Sequence, residues 1–120
     1  MSAPFHILLV EDEPVIRELV SSMLTEDGVT VDCAADGAEG LKLARAKAYD
    51  LVLLDVVLPK LDGITTLRML KADELTRSAP VYMLTARTKK ADVATAMSAG
   101  AEGYIQKPFR GAELMDLVVR

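Results

Sequence analysis

The sequence predicts an α/β domain: a doubly wound, five-stranded parallel sheet in the order 2-1-3-4-5, with five helices. Three observations carry this. Five short apolar runs alternate with five segments of helical spacing. The runs are rich in Val, Ile and Leu, as strands covered on both faces are. Strict strand–helix alternation calls for right-handed crossovers between parallel strands. For five such units the common open arrangement is 2-1-3-4-5, with a switch point between the first and third strands.

The elements follow in order. The first strand is Phe5–Val10; His6 inside it is expected to be a satisfied or edge histidine, not a phosphate carrier. The first helix spans 14–26, with Pro14 in the first turn, where a missing N–H costs nothing. Ile16, Val20, Met23 and Leu24 form its apolar stripe. Gly28 closes it as a left-handed cap. The second strand, Val29–Ala34, contains Cys33, expected as a small core hydrophobe. Asp36 with Glu39 makes a capping-box-like start to a helix over 37–47, with Leu41, Ala44 and Ala48 in a row. The third strand is Leu51–Leu54, and Leu67, Leu70 and Lys71 mark a helix over 64–74. The fourth strand is Pro80–Leu84, followed by an Ala-rich helix over 89–99 with a thin apolar face, closed by Gly100. The fifth strand, Gly103–Ile105, is the weakest pattern; Leu114, Leu117 and Val118 mark a last helix over 110–120. Met115 and Val119 lie off that stripe, as a dimer or effector patch or as ordinary scattered surface apolars.

Composition bounds the rest. The chain has 120 residues, the size of one domain, with 51% hydrophobic and 27% charged residues, which excludes disorder. Eighteen acidic against 14 basic residues give a net charge of -4, which argues against a nucleic-acid surface or an anionic membrane as the main partner. One cysteine excludes an internal disulfide and a cysteine-based zinc site. The longest early apolar run is too short for a signal peptide or membrane span, so a cytoplasmic location is expected. No linker, repeat or second domain is visible, and residues 1–120 read as one domain.

Ligands of open α/β sheets bind beyond the carboxyl ends of the strands at the switch point. The first strand ends in Glu11-Asp12, with Glu13 following, and the third ends in Asp55. Those strands are predicted neighbours, so three carboxylates converge. The fourth strand leads to Thr85 and the fifth to Lys107. A lone strand-end acid is as readily a helix N-cap, and Thr85 alone reads as a turn or capping hydroxyl. Two acids on one strand end and a third on its neighbour point to a site. Such carboxylates repel by several kcal/mol when partly desolvated, so one must protonate or a cation must bind. Hard oxygens without His or Cys select Mg²⁺, with Mn²⁺ as a substitute. A cation and a lysine beside a carboxylate form a clamp for a phosphoryl group, and the carboxylate can itself accept it as an acyl phosphate.

These residues resemble the receiver domain of two-component response regulators, the chemotaxis-regulator-like fold. The resemblance runs from Ile7 to Val118 through four motifs: Leu8 to Glu13, Leu53 to Gly63, Pro80 to Ala86 and Gly100 to Phe109. It implies that Asp55 accepts a phosphoryl group from a histidine on a kinase or phosphotransfer protein. Glu11 and Asp12 are implied as the Mg²⁺ pair, with Asp55 and the backbone carbonyl of Val57 completing the protein ligands. Lys107 would pair with the phosphoryl oxygens, Thr85 would hydrogen-bond the acyl phosphate, and the backbone N–H of Ala86 would help. Tyr104 would change rotamer as Thr85 moves, and the peptide before Pro108 is a cis candidate. The implied readout surface, towards an effector or a second copy, is the fourth helix, fifth strand and fifth helix. The flank of the first helix at Val15, Leu19 and Ser22 is the expected kinase-docking surface.

Some positions qualify this. Glu11 stands where the family has Asp, and its longer side chain suits reaching the ion through water. Val57 and Arg87, two residues beyond Asp55 and Thr85, occupy positions that influence water access to the acyl phosphate; Val57 has no polar group to orient water, so slow autodephosphorylation is expected of a switch that is not a turnover enzyme. A flavodoxin-like protein would need a phosphate loop after the first strand, where Glu11-Asp12-Glu13 would repel it. A haloacid-dehalogenase-like phosphatase would need a second Asp at Val57. A degenerate receiver acting as a binding scaffold would lack a key residue, and none is missing. The short, uncapped last helix suggests a receiver cut from a longer protein, with no effector domain in this chain.

Overall fold

The computed structural model describes residues 4–24, 28–86, 90–107 and 111–118. Five strands, β1 (Phe5–Val10), β2 (Val29–Ala34), β3 (Leu51–Asp55), β4 (Val81–Ala86) and β5 (Gly103–Lys107), alternate with five helices. These are α1 (Pro14–Leu24), α2 (Gly37–Ala46), α3 (Gly63–Ala72), α4 (Lys90–Ser98) and α5 (Gly111–Met115). All pairings are parallel, in the order β2-β1-β3-β4-β5. The predicted switch point between β1 and β3 is present.

Alternation along the strands builds two cores. Phe5, Ile7 and Leu9 of β1, with Leu51 and Leu53 of β3, pack against Val20 and Leu24 of α1 and Leu114 of α5. Leu8 and Val10, with Val52 and Leu54, pack on the other face against Ala44, Leu67, Leu70 and Ala96 from α2, α3 and α4. Fully burying one such Leu contributes roughly 1.5–3 kcal/mol, and β1, β3 and β4 supply Ile7, Leu8, Leu9, Leu53, Leu54, Met83 and Leu84, all fully buried.

Local signals behave as their chemistry dictates. Asp36 accepts from the Glu39 N–H at 2.8 Å, while Glu39 accepts from the N–H of Ala35, one residue earlier than a strict capping box would have it. Asp62 caps α3 through the Thr65 N–H at 2.9 Å. Gly28 and Gly100 have φ of 85° and 109°, the left-handed region that lets a helix end.

Five expectations need correction. Cys33 is exposed, its Sγ 3.4 Å from Ser21 Oγ, because β2 is an edge strand that α1 covers incompletely. His6 is neither at an edge nor satisfied: β1 lies between β2 and β3, and the buried Nδ1 has no hydrogen-bond partner among the described residues. Met115 is no surface patch but packs against the α1–α5 core. The last helix ends at Met115, not 120: the N–H groups of Leu117 and Val118 bond three residues back, tightening the chain into a turn without a cap. Ala48 also falls beyond α2, exposed. Val119 and Arg87 lie outside the described residues.

Candidate functional site

The site grows from strand ends that the sheet cannot avoid bringing together. Val10 pairs in register with Leu54, so Glu11 and Asp55, one residue further on each strand, lie side by side. Ala86 pairs with Lys107 on the far side, aligning β5 with the same edge. Glu11, Asp12 and Asp55 each offer an oxygen, and these lie within 4.8 Å of one another. Glu11 is wholly buried, Asp55 nearly so, and Asp12 is exposed.

Lys107 reaches into this cluster and bridges it. Its Nζ donates to Glu11 Oε1 at 3.0 Å and to Asp55 Oδ2 at 2.9 Å. The remaining oxygens of both acids take backbone donors: the Glu13 N–H on Glu11 Oε2 at 3.3 Å and the Val57 N–H on Asp55 Oδ1 at 3.1 Å. Burial pushes the Glu11 carboxyl up to about 7, against the pull of Lys107 and with a further push from the Asp55 charge. Burial draws the Lys107 ammonium down, but its bonds to Asp55 and Glu11 outweigh this and hold it above its usual value. The donor set is three carboxylates without His or Cys, which fits a hard divalent cation such as Mg²⁺.

The other predicted residues fall around this centre. Thr85 is buried on β4, one residue beyond the Asp55–Leu84 pair. Its neighbour Ala86 ends the strand. Tyr104 lies two residues before Gln106, the register partner of Thr85, and is 46% exposed. Val57 is 62% exposed beside Asp55. Pro108 lies outside the described residues. Val15, Leu19 and Ser22 are exposed on α1.

Two supporting residues were not singled out from the sequence. Gly63 folds back against the end of β3: its N–H bonds the Val56 carbonyl at 3.0 Å, and a Cβ there would run into the backbone of Asp55 and Val56. Arg17, on the second turn of α1, donates from Nη1 to the carbonyls of Glu11 at 2.8 Å and Asp12 at 3.0 Å. A glycine directly ahead of the helix predicted over 64–74 is a legible signal for the first; bonds to backbone carbonyls have no residue-type signature.

The comparisons with known proteins agree on the family to which this fold belongs. The family model described as the response regulator receiver domain matches residues 7–119. The chain belongs to that family. It is 45% identical over 115 residues to the transcriptional regulatory protein CseB of Streptomyces coelicolor, covering 96% of this chain and 48% of the relative. It is 38% identical over 110 residues to the DNA-binding response regulator MtrA of Mycolicibacterium smegmatis, covering 92% of this chain and 47% of that one. The chain thus spans about half the length of the curated relatives it matches. Among solved structures, the receiver domain of the sensor histidine kinase PA1611 of Pseudomonas aeruginosa aligns with a TM-score of 0.87 at 38% identity, covering 96% of this chain and 94% of that one; it carries a magnesium ion in its active-site cleft. The chemotaxis protein CheY4 of Vibrio cholerae aligns with a TM-score of 0.87 at 31% identity, covering 95% of each chain. The receiver is a signalling-switch module of two-component systems. Among the described residues, no helix is long and apolar enough to cross a membrane.

Proposed function

We propose that this receiver domain, residues 1–120, is a phosphorylation switch whose acceptor is Asp55. The observation that supports this most is the shared lysine: Lys107 bridges Glu11 and Asp55 at 3.0 and 2.9 Å, holding a cation against the acid that would be modified. One Asp55 oxygen attacks the phosphorus of a phosphohistidine on a partner kinase or phosphotransfer protein. The O–P bond forms as the N–P bond breaks, and the imidazole nitrogen leaves with the electron pair. Glu11, Asp12, Asp55 and the Val57 carbonyl would hold Mg²⁺, which neutralises the phosphoryl oxygens when bound; Mn²⁺ offers the same charge to the same oxygens. Lys107 supplies a fixed second cation, and Thr85 and the Ala86 N–H hydrogen-bond the acyl phosphate.

The phosphoryl group biases a pre-existing two-state equilibrium by interacting better with Thr85 and Lys107 in one state. Tyr104 follows Thr85, and the altered surface of α4, β5 and α5 meets an effector or a second copy. Val15, Leu19 and Ser22 are where the phosphodonor docks. The domain works in the cytoplasm as a switch and not as a turnover enzyme, without contacting nucleic acid or membrane itself. With exposed, apolar Val57 beside Asp55, no side chain there orients a hydrolytic water, so the acyl phosphate persists for minutes or longer; a half-life of seconds for the phosphorylated protein contradicts this.

The test is intact-mass measurement after incubation with acetyl phosphate, with Mg²⁺ or with EDTA. One phosphoryl mass is expected with Mg²⁺ only, absent in Asp55→Asn and mapped to Asp55 by borohydride reduction. Equal incorporation in Asp55→Asn, or none with Mg²⁺, overturns the proposal.

A further inference from the structure

Among the groups around the site, Arg17 is the one whose bonds no role yet explains. It spends a charged, half-buried guanidinium on backbone, not on any of the nearby carboxylates. Its Nη1, with two N–H groups, donates to the carbonyls of Glu11 at 2.8 Å and of Asp12 at 3.0 Å. Those carbonyls belong to the peptide linking Glu11 to Asp12 and the peptide linking Asp12 to Glu13. The backbone on both sides of Asp12 is therefore tied to the second turn of α1.

Asp12 needs such an anchor more than its neighbours. Glu11 is wholly buried, its N–H bonded to the Ala34 carbonyl at 3.0 Å and its carboxylate to Lys107. Asp55 is nearly buried and held by Lys107 and the Val57 N–H. Asp12 is exposed in the short connection between β1 and α1, and its carboxylate repels two others within 4.8 Å. Among the described residues, nothing but the backbone holds it in the cluster. A guanidinium on the carboxylate itself would do so at the cost of the lone pairs a cation needs. A guanidinium on the adjoining carbonyls fixes the position and leaves the oxygens open.

We infer that Arg17 is the positioning residue of the cation site: it holds the Glu11–Asp12 backbone so that the exposed acid stays in ligating position. This rests on the proposed Mg²⁺ role of the acidic cluster. Groups that orient metal ligands from behind typically contribute 10–100-fold to metal affinity.

The test is the Mg²⁺ dissociation constant of the full chain by isothermal titration calorimetry at fixed ionic strength, for the unsubstituted protein, Arg17→Met, Arg17→Lys and Asp12→Asn. Arg17→Met is expected to weaken binding about tenfold or more, with Arg17→Lys, which keeps the charge but ends one atom nearer the backbone, in between. The amides of Asp12 and Glu13 should exchange faster with solvent in metal-free Arg17→Met. Charge alone predicts the opposite sign, since removing a cation beside three acids tightens Mg²⁺ binding. Unchanged or tighter binding in Arg17→Met overturns the inference while leaving the site intact; a lowered melting temperature with unchanged affinity does the same. If Arg17→Met does not fold, Arg17→Lys decides: affinity equal to the unsubstituted protein overturns it. Failure of the unsubstituted protein to bind Mg²⁺ refutes the site itself, and the inference with it.

Discussion

The two ends of the proposed switch are held very differently. At the β1–β3 edge, Glu11, Asp55 and Lys107 fix one another through short bonds, Arg17 pins the backbone behind Asp12, and Gly63 presses against the backbone of Asp55. On the other side, α4 buries only Ala96 among its described side chains, and Met97 and Tyr104 stand half exposed. The chemistry thus sits on a rigid frame while the proposed readout rests on a lightly anchored helix. Elements that must move belong to the weakly held part of a fold. A modest change in charge at the rigid end can shift the loose end without unfolding the domain.

This contrast can be broken first by packing. Leu67→Ala in α3, whose side chain is fully buried, is expected to cost about 2–5 kcal/mol in urea unfolding. Ala96→Gly, at the one buried residue among the described side chains of α4, should cost about 1 kcal/mol, most of it helix propensity. Equal costs would mean that α4 is as firmly held as α3. The rigid end can be tested through its shared cation. Lys107→Met leaves Glu11 and Asp55 facing each other without their shared cation, so its melting temperature in EDTA should fall and saturating Mg²⁺ should recover much of the loss. A variant as stable as the unsubstituted protein in EDTA would show that the bridge is not needed.

A smaller effect follows from Glu11. Its carboxyl is raised by burial from an ordinary value of 4.5 to about 7 in the folded protein. Between those values the folded state holds a proton that the unfolded chain has released. Its contribution to metal-free stability is therefore full below pH 4.5 and is lost as pH rises towards 7. The melting temperature in EDTA, compared with Glu11→Gln, should carry an extra decline over that window. Parallel curves for the two proteins would contradict it. Mg²⁺, which prefers the ionised acid, should bind more tightly as pH passes 7.

Most of the frame was legible because it is written in local chemistry. Leu51–Leu54 and Pro80–Leu84 are unbroken apolar runs that only central strands bury, and parallel topology then aligns Asp55 with Glu11 and Lys107. What escaped depends on position within the sheet or on the backbone. Cys33 looks like any core cysteine until β2 proves to be an edge. Met115 is off the helical stripe only if the helix continues, and it does not. The half-buried Arg17 shows no spacing that would announce two carbonyl bonds, and the wholly buried state of Glu11 follows from three elements meeting around it, not from its neighbours in sequence.

The switch is tested most directly by amide hydrogen exchange of the chain in Mg²⁺, with and without beryllofluoride as a mimic of the phosphoryl group. Altered exchange is expected in α4 and β5, beyond the immediate surroundings of Asp55, while α2 and the buried part of α3 stay unchanged. Changes confined to Glu11–Glu13 and Asp55–Val57, with α4 and β5 silent, would contradict it.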